Sequence, residues 1–324
     1  MFPVVLPSLL SRAFGRVSSF GLGFLLWAAP AQAQSTGIAA ERMSFQSGPS
    51  AFYQVEGAQV AAPRQIWLHS GAIAVSHPLR IRNQASGELL STPIDYRVTL
   101  DLGGELGLWK ERLAIAVGIP VAVWQNGDRL QSLGGSDLSV EKPLRVSAVG
   151  DLRLRARVRL TPTDWFWGIL TTLDFTIPGG GQDDFVATSG PTVAPKLVGW
   201  FQKGPVAFAL NLSGRLAPHR QIYQTTIQHS VEWGAAASAA FPTRRIGLAL
   251  LAEAVGFYYP SAAIHSTELR GGLRFGLRQA AIDLGGGGGL GAFAPDWRAF
   301  VSVRGYFNQT PSRSPSCVER PLAL

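Results

Sequence analysis

Residues 149–161 read VGDLRLRARVRLT, and this stretch decides the fold. Successive side chains of a β-strand point to opposite faces, so a strand would place every arginine of the stretch on one face and every apolar residue on the other. A helix would spread the same arginines around its axis and leave no apolar stripe. We therefore predict a strand with one basic face, formed by Arg153, Arg155, Arg157 and Arg159.

The same two-residue alternation recurs along most of the chain, most clearly at 94–106, 206–216 and 266–278. Strands of soluble proteins are typically five or six residues long, whereas a tilted strand needs about 9–11 residues to cross a bilayer. Most of the alternating stretches reach the longer length. About twelve strands are predicted, near residues 65–75, 94–107, 112–124, 150–161, 165–177, 191–202, 205–216, 229–240, 245–258, 266–278, 280–292 and 297–307.

Short and long connections alternate between these predicted strands. Short turns such as 109–111 and 202–204 follow the even-numbered strands, and longer loops such as 125–149 follow most of the odd-numbered ones. Outer-membrane barrels have short periplasmic turns and longer external loops. We therefore predict an all-β fold, an antiparallel transmembrane β-barrel of about twelve strands in an up-and-down meander, in the outer membrane with both termini in the periplasm.

The cost of exposing charge to lipid assigns the two faces of each strand. One arginine on the lipid face at mid-bilayer costs about 2–4 kcal/mol, so four would cost as much as the stability of a whole domain. The arginines must face the lumen, where small residues on the third strand leave them room to reach Asp101 and Glu105. The predicted lumen-lining residues are Arg97, Asp101, Glu105, Arg153, Arg155, Arg157, Arg159, Lys196, Arg215, Glu232, Glu253, Glu268, Arg270, Arg274, Arg298 and Arg304.

Aromatic residues fall near the predicted strand ends. Indole and phenol rings favour the headgroup layer of a membrane, because one end of the ring is apolar and the other is wet. We predict that an aromatic girdle contains Trp109, Trp124, Trp165, Trp167, Trp233, Tyr258, Trp297 and Phe307.

Composition excludes several function classes. Only 15% of the 324 residues are charged and 46% are hydrophobic, which excludes a charge-rich disordered chain. The single cysteine, Cys317, excludes a disulfide framework, and no His, Asp or Glu cluster has metal-ligand spacing. The net charge of +8 comes mostly from residues predicted to line the lumen, so no nucleic-acid surface is expected. We predict no catalytic residues, no cofactor, no metal and no enzyme activity.

The two ends of the chain differ from the strand-rich middle. Arg12 and Arg16, the apolar stretch 20–29 and the Ala31–Ala33 motif match the three parts of a secretory signal peptide. We predict a signal peptide at 1–33 that is removed, a periplasmic lead-in segment at 34–63, the barrel at 64–307 and a disordered tail at 308–324.

Three motifs resemble one family. They are Ser44-Phe45 with Val55-Glu56-Gly57-Ala58, the VGDLRLRARVRL strand, and Ala294-Pro295-Asp296-Trp297-Arg298. Together they resemble the N-terminal barrel of the large OmpA-family outer-membrane proteins of myxobacteria-like bacteria, and the strand is also similar to barrels related to phenol-degradation-pathway transporters. The resemblance implies an outer-membrane barrel of structural or transport type without a cofactor. The family's peptidoglycan-binding domain has no counterpart here, so peptidoglycan binding is not expected.

Two functions of different class remain open from the sequence. One is a structural OmpA-like barrel whose narrow lumen is filled by paired charges. The alternative is a passive pore or transporter for small anionic or hydrophobic solutes, with weak anion preference because the predicted inward bases outnumber the inward acids. An outer-membrane hydrolase and a soluble secreted β protein are further alternatives. Expected partners are outer-membrane lipid, lipopolysaccharide and the barrel-assembly machinery.

Overall fold

The computed structural model describes residues 39–40, 42–82, 89–127, 144–180, 184–222, 225–241, 246–291 and 293–308, all within one compact unit. No helix in these ranges is long and apolar enough to cross a membrane. The strands are β1 (Gln65–Arg82), β2 (Leu89–Trp109), β3 (Leu113–Asn126), β4 (Ala148–Val149), β5 (Leu152–Arg159), β6 (Trp167–Ile177), β7 (Thr192–Lys203), β8 (Val206–Arg215), β9 (Arg220–Ile222), β10 (Thr225–Ile227), β11 (Ser230–Phe241), β12 (Gly247–Tyr259), β13 (Ile264–Gly276), β14 (Ala280–Gly291) and β15 (Trp297–Asn308).

Twelve of these strands form a closed antiparallel barrel. Each long strand pairs with the next long strand along the chain, and the ring closes where β1 pairs with β15, from Gln65 opposite Asn308 to Ser76 opposite Trp297. The three short strands lie outside this ring of long strands: β4 pairs with β3 beside β5, and β9 pairs with β10 in the connection between β8 and β11. The prediction of an all-β, twelve-stranded meander barrel is confirmed.

The first two strands are longer than the sequence predicts. The predicted limits were residue 75 for the first strand and residue 94 for the second, but β1 continues to Arg82 and β2 begins at Leu89. The pairing between them shifts register after Ser76, next to His77 and Pro78. A proline inside a strand pattern usually predicts a loop, but proline is tolerated in a strand at such a bulge. The strand pairing therefore continues past His77 and Pro78.

The barrel has an apolar exterior and a charged interior. On β5 the side chains of Leu154 and Val158 are exposed on the outside, whereas Arg157 is 1% exposed on the inside. The other barrel strands repeat this arrangement, with rows of exposed leucine, valine and phenylalanine. The fold therefore places a hydrocarbon-compatible surface around a polar lumen.

The barrel has two distinct ends, which we call the turn end and the loop end. The turn end carries the connections 110–112, 160–166, 204–205 and 277–279, together with the start of β1 and the end of β15. The opposite ends of the same strands form the loop end, where β1, β3, β6, β8, β12 and β14 end.

Residues 42–63, which we call the lumen segment, run inside the barrel. The sequence predicts that residues 34–63 form a periplasmic lead-in before the barrel, whereas the described residues 42–63 lie inside it. Phe52, Tyr53, Glu56, Ala58 and Ala61 are completely buried. The segment has no alternating pattern that would mark it as an element of the barrel, so its position follows from contacts with the wall.

The lumen segment connects the two ends of the barrel. At the loop end the backbone N–H of Ala40 donates to the carbonyl oxygen of Phe185, at 2.9 Å. At the turn end the N–H of Arg64 donates to the carbonyl oxygen of Gly107, also at 2.9 Å. A β-carbon at Gly107 would overlap the carbonyl oxygens of Ala61 and Ala62, so the exit of the segment requires a glycine there. Predictions for residues 1–38 and 309–324 lie outside the described residues.

Candidate functional site

The arginines of β5 reach across a neighbouring strand. Arg153 lies opposite Gly118 of β3 and donates to Asp101 of β2. Arg157 Nη1 donates to Glu105 Oε2, also on β2, at 2.6 Å. These are the two acids that the sequence analysis proposed as partners. The intervening lumen-facing row of β3 consists of small residues, which leaves a path for the long side chains: Ala114, Ala116, Gly118, Pro120 and Ala122.

Glu56 of the lumen segment is the centre of a second group of charges. Its Oε1 accepts from Lys196 Nζ at 2.6 Å and lies 3.4 Å from Arg155, while its Oε2 lies 3.4 Å from Arg157. Three cations thus surround one completely buried carboxylate and compensate its charge. Sequence reasoning missed this residue, although Glu56 is the only charged residue between 43 and 63.

Charged wall residues also hold the backbone of the lumen segment. Glu253 accepts from the N–H groups of Tyr53 at 2.6 Å and Gln54 at 3.1 Å. Arg274 and Arg304 both donate to the carbonyl oxygens of Ser50 and Phe52, at 2.6–3.2 Å. Hydrogen bonds to charged groups are about twice as strong as neutral ones. The wall thus fixes the path of the segment through its main chain.

The remaining residues of the predicted lumen set also lie on the inner face. Arg270 and Arg298 share Glu268, with nitrogen–oxygen distances of 2.6 and 2.5 Å. Arg215 pairs with Glu232 at 2.6 Å. Two members contact main chain: Arg97 donates to the carbonyl oxygens of Asp184 and Phe185, and Arg159 to that of Pro162.

An apolar cluster closes around the first described residues at the loop end. Ala40 packs with residues from several connections and strand ends: Leu79, Ile94, Phe185, Ile227, Phe257, Tyr259 and Phe293. The Arg42 guanidinium lies 4.0 Å from the ring centroid of Phe257. Sequence reasoning did not predict this cluster, because its members come from distant parts of the chain.

A cavity of about 220 Å³ remains between the lumen segment and the wall. Its lining includes seven basic side chains and five acidic ones. The basic residues are Arg42, Arg153, Arg155, Lys196, Arg215, Arg270 and Arg298, and the acidic ones are Asp101, Asp151, Asp174, Glu232 and Glu268. The cavity is therefore polar and carries an excess of positive charge.

The eight predicted girdle residues are all exposed and divide between the two barrel ends. Four lie at the turn end: Trp109, Trp165, Trp167 and Phe307. The other four lie near the loop end: Trp124, Trp233, Tyr258 and Trp297. This distribution is the one that two aromatic belts at the two membrane surfaces would have.

Comparison with known proteins finds similarity at the level of fold. No family model and no curated protein matches the chain. An outer membrane channel from Pseudomonas putida F1 matches with a TM-score of 0.57 and 14% identity, over 77% of this chain and 98% of that one. The toluene transporter TodX of P. putida matches with a TM-score of 0.36 and 12% identity, over 83% and 100% of the two chains. The barrel fold is shared with the channel from P. putida F1, and the OmpA-family resemblance is not confirmed.

Proposed function

We propose that the protein is a passive outer-membrane channel for small solutes, closed by its lumen segment in the arrangement described. The observation that supports this most directly is that a separate stretch of chain, in addition to the side chains of the wall, fills the lumen of the barrel. The contacts that hold this stretch are hydrogen bonds, ion pairs and packing, so its release requires no covalent change.

The wall itself leaves room for a pore. A ring of twelve strands, spaced about 4.8 Å apart and tilted about 40°, has a backbone diameter of roughly 24 Å. Long stretches of the inner face carry only small side chains, such as Ala114 to Ala122 on β3 and Gly285 to Gly289 on β14. Displacement of the lumen segment would open this space, which a barrel filled by its own wall residues could not do.

The structural-barrel alternative is favoured by a different observation. Phe52, Tyr53 and Glu56 are completely buried, as the core residues of a permanently filled barrel would be. The two functions differ in one measurable property, because only the channel conducts when the segment moves.

A reversible disulfide bond between the lumen segment and the wall tests the proposal. A β-carbon on Gly234 would lie 3.0 Å from Val55 Cγ2, which is within reach of an S–S bond of about 2.05 Å. We therefore design Val55→Cys with Gly234→Cys in a Cys317→Ser background, and measure single-channel conductance in planar bilayers. The channel function predicts events in the wild type and in the reduced variant, and none in the oxidised variant.

Controls separate the two functions. The Cys317→Ser protein and each single cysteine variant must conduct like the wild type, with or without oxidant. If neither the wild type nor the reduced double-cysteine variant conducts, the protein is a structural barrel. When conductance is present, the excess of inward bases predicts weak anion preference, measured as a reversal potential in a salt gradient.

The outer surface of the barrel supports a location in the outer membrane. The apolar exterior and the aromatic residues near both barrel ends support insertion in the outer membrane, with lipid and lipopolysaccharide as neighbours. The long connections are then extracellular and the short turns periplasmic.

A further inference from the structure

Arg153 differs from the other arginines of β5. Arg155 makes a two-pronged contact with Asp174 and also reaches Gln46 and Glu56. Among the residues that the structure describes, Arg153 has one hydrogen-bond acceptor, Asp101, and its buried Nε has none. A guanidinium carries five N–H donors, so most of the donor capacity of Arg153 is unused.

This spare capacity faces the cavity. Arg153 lines the 220 Å³ cavity, and 25% of its side chain is exposed there. The Nη1 atom of Arg153 has no acceptor within the described ranges and, unlike Nε, is not buried, so it can donate to a molecule in the cavity.

The charge and shape of the cavity define that partner. Basic side chains exceed acidic ones in the lining, which favours an anion. Apolar residues also line the cavity, among them Phe45, Pro120 and Val186. Phe45 shares Asp101 with Arg153, and Pro120 lies two residues from Gly118, which is opposite Arg153. The space beside Arg153 exists because Gly118 of β3, directly opposite it, has no side chain. An inorganic ion would use the charge but make no apolar contact with these side chains.

We propose that this cavity binds a small organic monocarboxylate, with the carboxylate on Arg153 and the apolar body against Phe45, Pro120 and Val186. Arginine recognises carboxylates through parallel N–H donors, which its fixed fork geometry allows. The site rests on the proposed channel function for its physiological meaning, since it would lie on the solute path, but binding itself does not require conduction.

Calorimetric titration of the full-length protein in detergent tests the site. Benzoate is the probe, benzamide is its neutral counterpart of the same shape, and chloride tests for an inorganic anion site. We expect benzoate to bind, benzamide to bind about tenfold or more weakly, and chloride to compete only weakly. Arg153→Gln should weaken benzoate binding about ten- to hundredfold, the usual range for a lost charged hydrogen bond.

Two further variants keep the result interpretable. Arg153→Lys retains the charge without the fork and should bind benzoate with intermediate affinity. Arg159→Gln removes the same charge from the same strand, but Arg159 does not line the cavity, so benzoate binding should match the wild type. Correct folding of each variant is checked by its heat-dependent gel mobility.

Three results would overturn the proposal: no benzoate binding by the wild type, equal binding of benzamide, or unchanged binding in Arg153→Gln. Chloride that binds as tightly as benzoate would reassign the cavity to inorganic anions and also contradict it. Because these measurements are made in detergent without a membrane, they are independent of the conductance test. A binding protein that does not conduct would retain the site and lose the channel function.

Discussion

Arg157 and Arg153 stand four residues apart on the same face of β5, yet their surroundings differ completely. Arg157 is 1% exposed and donates to Glu105 and to the carbonyl oxygens of Gly57 and Gln59. Arg153 has one acid partner and borders an open cavity. The same residue type in the same row thus closes the lumen on the turn side and leaves space on the loop side. Within the described residues the lumen segment accepts hydrogen bonds from Arg157 and none from Arg153, and this makes the difference.

The largest effect is expected from a substitution of Arg157, on the densely packed side of the lumen. Arg157→Gln removes a cation from Glu105 and Glu56. It also removes the donor of the Gly57 and Gln59 carbonyl oxygens. Breaking a buried ion pair by removing one partner costs about 3–5 kcal/mol. We expect this free energy to be lost from the binding of the lumen segment to the wall. Single-channel opening should then become orders of magnitude more frequent. Unchanged opening would show that Arg157 does not hold the segment.

A second test uses acid. Glu56 holds the segment as a carboxylate paired with Arg155, Arg157 and Lys196, and protonation by acid removes that charge. Asp174 lies behind these cations, 3.6 Å from Lys196. We expect conductance to increase reversibly when the pH is lowered below about 4.5.

Glu56→Gln separates this carboxylate from the other acids of the barrel. The variant should open more often at neutral pH, because three nearby cations lose their shared anion. Its opening should depend less on acid than that of the wild type. If both proteins respond to acid equally, another carboxylate controls the segment.

A third, smaller effect is expected where the segment leaves the barrel. A methyl group in Gly107→Ala would overlap the carbonyl oxygens of Ala61 and Ala62, and overpacking of this kind typically costs about 1–3 kcal/mol. Proteolysis at the lumen segment, followed by mass spectrometry, should be faster in this variant. Gly214→Ala is the matched control, since a methyl group there would have nothing within 4 Å.

The smallest effect is expected from Arg153→Gln. Asp101 keeps the N–H of Phe45 at 2.8 Å and His69 at 3.3 Å as neighbours. We expect the free energy of unfolding to fall by about 1–2 kcal/mol and channel opening to stay near that of the wild type. A loss as large as that of Arg157→Gln would show that the two sides of the lumen are held alike.

The sequence predicts the wall of the barrel much better than its contents. Alternation with period two identifies the strands because membrane and lumen impose opposite chemistry on successive residues. The cost of exposing arginine to lipid also predicts that Arg153 and Arg157 face Asp101 and Glu105. Residues 42–63 carry no such period, since they touch wall residues on every side. Their place in the lumen therefore could not be predicted, and neither could the cavity that they leave.

The passage of residues 42–63 through the ring imposes an order on assembly. The segment continues into β1 at the turn end, while Ala40 contacts Phe185 at the loop end. A closed ring of hydrogen-bonded strands has no side entrance. The β1–β15 seam must therefore form around a segment that is already inside, or the residues before Ala40 must be drawn through the finished ring. In the first case Glu56 can pair with Arg155, Arg157 and Lys196, which lie on β5 and β7, before the β1–β15 seam closes.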